Sequence, residues 1–243
     1  MEVDIQELHK INGIQLAKRF QRSQELTLYS DFFVDDEKIF ATFPDSLLFP
    51  DRTWIFPKIR SVDFLGEFPH LNNPFLVKFF EQLIDHCPNL QSIGFFLYWT
   101  ENMTDLVLNF LRTLQTNLSQ IHKCYLYTEG DIDEKFISEL SSLLPSLKLL
   151  SVKIDWYCNT GEVINSIGRF MKNLNHLELV LEDIPEYVDD DWIERMKVEK
   201  DIQSLAMKRD IRQWLKRNTF LGKKSSNRIF QAEKYGNDLK IWF

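Results

Sequence analysis

A short apolar phrase returns along this chain. Its clearest copy is Pro145-Ser146-Leu147-Lys148-Leu149-Leu150-Ser151-Val152, and it recurs as Pro88-Asn89-Leu90-Gln91-Ser92-Ile93-Gly94-Phe95 and as Asn173-Leu174-Asn175-His176-Leu177-Glu178-Leu179. Looser copies are Pro57-Lys58-Ile59-Arg60-Ser61-Val62-Asp63-Phe64 and Gln120-Ile121-His122-Lys123-Cys124-Tyr125-Leu126. Counted from its first apolar residue, each phrase is apolar at the first, fourth and sixth positions. Those first residues, Ile59, Leu90, Ile121, Leu147 and Leu174, are separated by 31, 31, 26 and 27 residues, the scale of a solenoid or repeat array. The second half of the phrase alternates apolar and polar, as in Leu150-Ser151-Val152-Lys153-Ile154, which predicts a strand with one buried face.

Between the phrases the period changes to that of a helix. Pro74 stands at a first helical position ahead of Phe75, Leu76, Phe79, Phe80 and Leu83, where its missing N–H costs nothing. Residues 105–114 repeat Leu106, Phe110, Leu111 and Leu114; residues 131–144 repeat Phe136, Ile137, Leu140, Leu143 and Leu144; residues 161–171 repeat Val163, Ile164, Ile167, Phe170 and Met171. Each unit is therefore a strand, a turn, a helix and a return. One such unit cannot bury both its faces, whereas stacked units can.

The flanks divide the chain into three parts: an N-terminal cap over 1–58, repeat-like units over 59–184, and a C-terminal cap over 185–243. Residues 5–20 predict a leading helix with Leu8, Ile11, Leu16 and Phe20 on its apolar face, and Glu25-Leu26-Thr27-Leu28-Tyr29 predicts a first strand. Residues 40–54, with Pro44 and Pro50, predict a loop, and residues 189–217 a longer helix. Asp238-Leu239-Lys240-Ile241-Trp242-Phe243 is a further candidate strand. Leu239 lies 62 residues after Leu177, equal to two units of 31, which is either a last repeat or a coincidence.

The phrase resembles the leucine-rich repeat, whose Leu-x-x-Leu-x-Leu pattern is met by Leu147, Leu150 and Val152 and by Leu174, Leu177 and Leu179. The lead-ins Cys87-Pro88-Asn89-Leu90 and Leu144-Pro145-Ser146-Leu147 are similar to those of the leucine-rich repeats of F-box proteins. The resemblance covers residues 59–184. It implies an α/β leucine-rich-repeat solenoid with irregular repeats, a curved parallel sheet and helices on its convex side. It also implies substrate recognition for a ubiquitin ligase. The family expects Asn or Cys three residues after the third apolar position, where this chain has Glu67, Tyr98, Glu129, Asp155 and Glu182. Some other group must satisfy the turn backbone. The N-terminal residues do not look like an F-box.

In such a sheet the residues alternating with the buried ones stand on the opposite face. They read Tyr29; Asp63 and Leu65; Phe96 and Tyr98; Tyr125 and Tyr127; Lys153 and Asp155; Glu178, Val180 and Glu182. Aromatic rings in the middle, giving way to acids, fit a protein-binding surface that favours a basic partner. The alternative is that the rings pack on one another or beneath the 40–54 loop.

Charge adds a second candidate. The chain carries a formal net charge of −7. Residues 208–228 hold eight cations, Lys208, Arg209, Arg212, Lys216, Arg217, Lys223, Lys224 and Arg228, against the one acid Asp210. Such a block suits phosphate or nucleic acid through counterion release, or else it is a solvated helix face paired with the acids of residues 186–191. Overall acidity and the lack of a nucleic-acid-binding motif oppose nucleic acid as the partner.

Catalytic patterns are absent. There is no GxGxxG, Walker, HExxH or GxSxG sequence. Cys124 lies two residues from His122 but occupies an inward apolar slot, where cysteine behaves as an inert hydrophobe. Asp189-Asp190-Asp191 could bind a cation, but acids at the start of a helix are explained by the dipole and by capping. Three cysteines, Cys87, Cys124 and Cys158, form no disulfide or zinc framework and suggest a reducing compartment. With no secretory segment or membrane-length apolar run in the sequence, the expectation is a cytoplasmic or nuclear, non-enzymatic interaction protein with no cofactor, no metal and no membrane association.

Overall fold

The computed structural model describes residues 1–4, 18, 20–30, 55–66, 71, 74–97, 103–128, 132–154, 159–181, 211–222, 229–235 and 238–243. Outside the described residues lie Tyr98, Asp155, Glu182, Lys208, Arg209, Lys223, Lys224 and Arg228, together with the 40–54 loop, Glu67, Glu129, Cys158, the triple aspartate and most of both flanking helices. The chain divides into two compact units, Met1–Glu129 and Gly130–Phe243.

In the first unit, strands β1 (Glu2–Asp4), β2 (Glu25–Ser30), β3 (Ser61–Gly66), β4 (Ser92–Leu97) and β5 (Lys123–Tyr127) pair in sequence order, every pair parallel. Helix α1 (Pro74–His86) links β3 to β4, and α2 (Met103–Thr113) links β4 to β5. This is the α/β stacking of strand–helix units that the repeated phrase predicts. The inward residues Leu26, Leu28, Val62, Phe64, Ile93, Phe95, Cys124 and Leu126 are all buried.

Four phenylalanines tie the strands to the helices. Phe64 and Phe95 stack at 5.2 Å between centroids on neighbouring strands. Phe80 of α1 meets Phe64 at 5.5 Å, and Phe110 of α2 meets Phe64 at 5.4 Å edge-on. Phe80 and Phe110 close the cluster at 5.5 Å. The rings adopt the tilted and edge-on arrangements that the ring quadrupole favours alongside stacking.

A second device recurs at the start of each phrase. The N–H of its first apolar residue bonds the carbonyl three residues earlier: Ile59 to Phe56, Leu90 to Cys87, Ile121 to Leu118, Leu147 to Leu144 and Leu174 to Met171. Phe56, Cys87, Leu118, Leu144 and Met171 are all buried, so the phrase has a further apolar position ahead of those read from the sequence. Successive phrases are then joined by forked bonds. The Arg60 carbonyl accepts from Gln91 and Ser92, that of Gln91 from His122 and Lys123, and that of Lys148 from Asn175 and His176. Asparagine side chains help at matching places: Asn89 donates to the Pro57 carbonyl at 2.8 Å, and Asn173 to that of Pro145 at 3.1 Å. Asparagine thus braces backbone before the strand, whereas the family pattern places it after.

In the second unit, α3 (Glu134–Leu143) is capped by Asp133, whose carboxylate accepts from the Phe136 N–H at 2.7 Å. Strands β6 (Leu149–Ile154) and β7 (His176–Leu181) are parallel and joined by α4 (Thr160–Phe170), capped by Asn159. Helix α5 (Ile211–Asn218) and the short 3₁₀ turn Phe220–Gly222 follow. The Phe220 N–H donates to Asn165 Oδ1 at 2.6 Å. The Phe220 ring lies where a Cβ on Gly168 would stand, so only glycine there admits it.

Strands β8 (Gln231–Tyr235) and β9 (Asp238–Trp242) form an antiparallel hairpin, and β9 pairs antiparallel with β7. The candidate last repeat is therefore a strand but not a repeat: paired with β8, it runs against β7 rather than along it. Its inward residues Leu239 and Ile241 are buried beside Leu179 and Leu177.

The phenylalanine cluster should dominate the stability of the first unit. Phe64→Ala is expected to cost about 3–5 kcal/mol in urea denaturation. Ile229→Ala, at a side chain 89% exposed, should stay within about 0.5 kcal/mol. A loss at Phe64 no larger than that at Ile229 would contradict the assignment of the cluster as the core.

Candidate functional site

The register of β2 to β5 sets the non-core face of the first unit as three rows. The first runs Glu25, Ser61, Ser92, Lys123; the second Thr27, Asp63, Gly94, Tyr125; the third Tyr29, Leu65, Phe96, Tyr127. Every residue of the third row is half-buried. The sequence expectation for Tyr29, Asp63, Leu65, Phe96, Tyr125 and Tyr127 thus falls on one face and in two adjacent rows. Phe96 and Tyr127 stack at 5.1 Å with 22° between planes. These two rings do pack on one another, as one alternative held.

The first two rows enclose a cavity of about 470 Å³. Its lining includes two small residues of the first row, Ser61 and Ser92, among larger ones. Glu25 and Lys123 stand at the ends of the first row, Asp63, Tyr125 and Phe96 line the upper wall, and Gln24, Arg60 and Gln91 lie at the strand starts. Gly94 matters most. A Cβ there would meet the Asp63 carboxylate and the edge of the Phe96 ring, both of which lean over the glycine. A glycine inside a strand commonly marks such a close approach.

Asp63 is the electrostatically unusual member. Burial holds its carboxyl above the ordinary carboxylate value; the Ser61 hydroxyl, donating to Oδ1 at 3.2 Å, opposes the shift, and the neighbouring Glu25 carboxylate adds to it. A charge set where it is costly, in a cavity, points to a working group.

Sequence reasoning missed Gly94, Ser61, Ser92, Arg60 and Lys123. The available signal was Gly94, the one outward position among the aligned phrases with no side chain. At the other end of the β3 strand, Gly66 takes a φ of 117°, a conformation suited to glycine, as the chain leaves the sheet.

In the second unit the outward positions are Lys153, Glu178 and Val180. Glu178 lies opposite Lys240 of β9 and pairs with it at 2.7 Å. The acidic character expected here is therefore offset at Glu178. His176 stacks on Trp242 at 5.1 Å. Burial lowers the His176 pKa, against Glu178 and together with Lys240.

Of the basic segment, Arg212, Lys216 and Arg217 are exposed on α5. Cys87 and Cys124 are buried free thiols. Burial pushes Cys87 up to about 12 and raises Cys124 as well, so neither supplies thiolate near neutral pH. Among the described residues no His, Cys, Asp and Glu cluster fits a metal, and no helix is long and apolar enough to cross a membrane.

No family model matches the chain, and no curated protein matches its sequence. Among solved structures, the leucine-rich repeat-containing protein LegL7 from Legionella pneumophila is similar, at 13% identity and a TM-score of 0.43, over 82% of this chain. The chain spans 62% of that protein's length.

Asp63 carries a pH signature. Its folded pKa is raised, so its contribution to stability is greatest when protonated and is lost as pH rises through that raised value. Asp63→Asn keeps an acceptor for Ser61 and removes the charge. At neutral pH the variant should show a higher urea midpoint than the wild type, and the gain should vanish below the ordinary carboxylate range. A lower midpoint for the variant at neutral pH would contradict the electrostatic account.

Proposed function

We propose that the chain is a non-enzymatic protein-interaction scaffold, and that its contact surface is the aromatic face of the first unit. The observation that carries this reading is the third row, Tyr29, Leu65, Phe96 and Tyr127, half-buried and reaching the cavity through Phe96. Large rings held by stacking offer contact area at low entropic cost. A cavity beside them supplies the kind of pocket in which interface hot spots sit. The polar groups around it, Glu25, Arg60 and Lys123, supply a charged rim that gives orientation and selectivity.

The proposal extends to substrate recognition for a ubiquitin ligase. The lead-ins of Cys87-Pro88-Asn89-Leu90 and Leu144-Pro145-Ser146-Leu147, similar to those of F-box proteins, support that narrower form. They act locally by setting the buried turn before each strand, where Cys87 and Leu144 accept from Leu90 and Leu147.

Affinity purification of the intact chain with mass spectrometry tests both levels. Proteins captured by the wild type should be lost from Phe96→Ala and from Tyr127→Ala, each substitution weakening a purified partner by about 2 kcal/mol or more. Circular dichroism on each variant checks that the fold persists. Cullin-adaptor components among the specific partners would support the ligase role. Unchanged capture by folded variants would overturn the scaffold reading. Capture that depends on RNA and falls steeply with salt would move function to the basic segment.

A further inference from the structure

We propose that the outward face of α5 is a docking surface for a short acidic segment of a protein, met by Arg212, Lys216 and Arg217. This contact belongs to the second unit and is independent of the partner met on the sheet face. The helix is held by its other side. Leu215 is fully buried, and Ile211 and Trp214 are half-buried. Trp214 lies against α4, where a Cβ on Gly161 would stand 3.8 Å from its ring. The Thr219 hydroxyl donates to the Leu215 carbonyl at 2.6 Å, and the Phe220 N–H to Asn165 of α4 at 2.6 Å, which ties the end of the helix down. With that side fixed, Arg212, Lys216 and Arg217 are turned to solvent.

Helix stability does not explain all three cations. Lys216 and Arg217 lie in the last turn, where the negative end of the helix dipole favours them. Arg212 lies in the first turn, which holds no acid, at the end where a cation is disfavoured. It also stands four residues before Lys216, and like charges at that spacing destabilise a helix. Pairing within the chain does not explain them either. Among the described residues, Arg212, Lys216 and Arg217 have no ion-pair partner, although the chain carries a net charge of −7. Their repulsion is thus left for an anion from outside to relieve.

The spacing fits an extended acidic chain. Arg212 and Lys216 are about 6 Å apart along the helix axis. In an extended segment, side chains two residues apart point the same way and are separated by roughly 6.6 Å. Acids at alternate positions therefore meet these cations in turn, and Arg217 stands beside Lys216 for the next. The rival occupant is nucleic acid. A long polyanion would run past three cations onto a chain of net charge −7, which repels it, whereas a short acidic segment ends with the helix.

The test uses the intact protein and a fluorescein-labelled peptide of alternating Glu and Ser, read by fluorescence anisotropy at low salt. Saturable binding that weakens as salt rises is expected. Arg212→Gln, Lys216→Gln and Arg217→Gln should each weaken it roughly two- to fivefold, the share of an exposed ion pair, and the triple variant should abolish it. Lys135→Gln, at an exposed cation of α3, should leave it unchanged. Arg212→Gln should hold or raise the urea midpoint; a fall would make Arg212 a structural residue and count against the proposal. Absence of saturable binding would overturn it, as would equal affinity in the folded triple variant. Tighter binding of a uridine oligonucleotide of equal charge, lost in the triple variant, would assign the face to nucleic acid instead.

Discussion

A parallel strand finds no hydrogen-bonding partner in its own strand–helix unit, and the rest of the structure depends on how that need is met. Here β2, β3, β4 and β6 are each met by the next copy of the same phrase. The meeting point is the carbonyl of the second residue of the strand's approach: Arg60, Gln91 and Lys148 each accept two N–H groups from the following copy. Such a fork fixes register before the ladder begins. Register in turn decides which residues face the helices, since a slip of one residue would exchange the two faces. The phenylalanine cluster exploits that certainty, with Phe64 and Phe95 stacked on neighbouring strands and closed over by Phe80 and Phe110.

The same register writes the opposite face. Small residues from successive copies, Ser61 and Ser92, fall side by side and line a hollow, while Phe96 and Tyr127 fall together and stack. Neither feature adds to the core. Asp63 even works against the folded state near neutral pH, because burial and the Glu25 carboxylate both disfavour its charge. A carboxyl shifted by burial beside a cavity marks this face as a candidate site. The candidate site is thus a product of the repeat's outward positions, with the inward ones serving to align them.

Much of this was legible in the sequence. The inward positions announced themselves by apolar alternation, and Val62, Phe64, Ile93, Phe95, Leu150, Val152, Leu177 and Leu179 are all buried. Helices α1 to α4 followed from the 3.6-residue period and, for α1, from Pro74 at its start; the caps Asp133 and Asn159 emerged only with the structure. The outward face followed from the inward one. What escaped had physical reasons. The buried turn position that opens each phrase is filled by Phe56, Cys87, Leu118, Leu144 and Met171, residue types too varied to read as one repeat. Strand β1 is three residues, two of them acids, and is held by backbone pairing rather than by pattern. Strand β8 alternates weakly, and the Gly236-Asn237 pair that joins it to β9 was the overlooked hairpin signal. The Glu178–Lys240 pair depends on an antiparallel register between segments 62 residues apart, which no local pattern encodes.

The central claim is that a protein partner is met on the sheet face that carries Phe96, and not on the helices. Photocrosslinking reads this directly. A photoreactive phenylalanine analogue placed at position 96 is compared with the same analogue at Asp85 and at Asp105, both exposed on α1 and α2. The account predicts covalent capture of the partner from position 96 and none from 85 or 105. Capture from the helix positions, with position 96 silent in a folded protein, would contradict it.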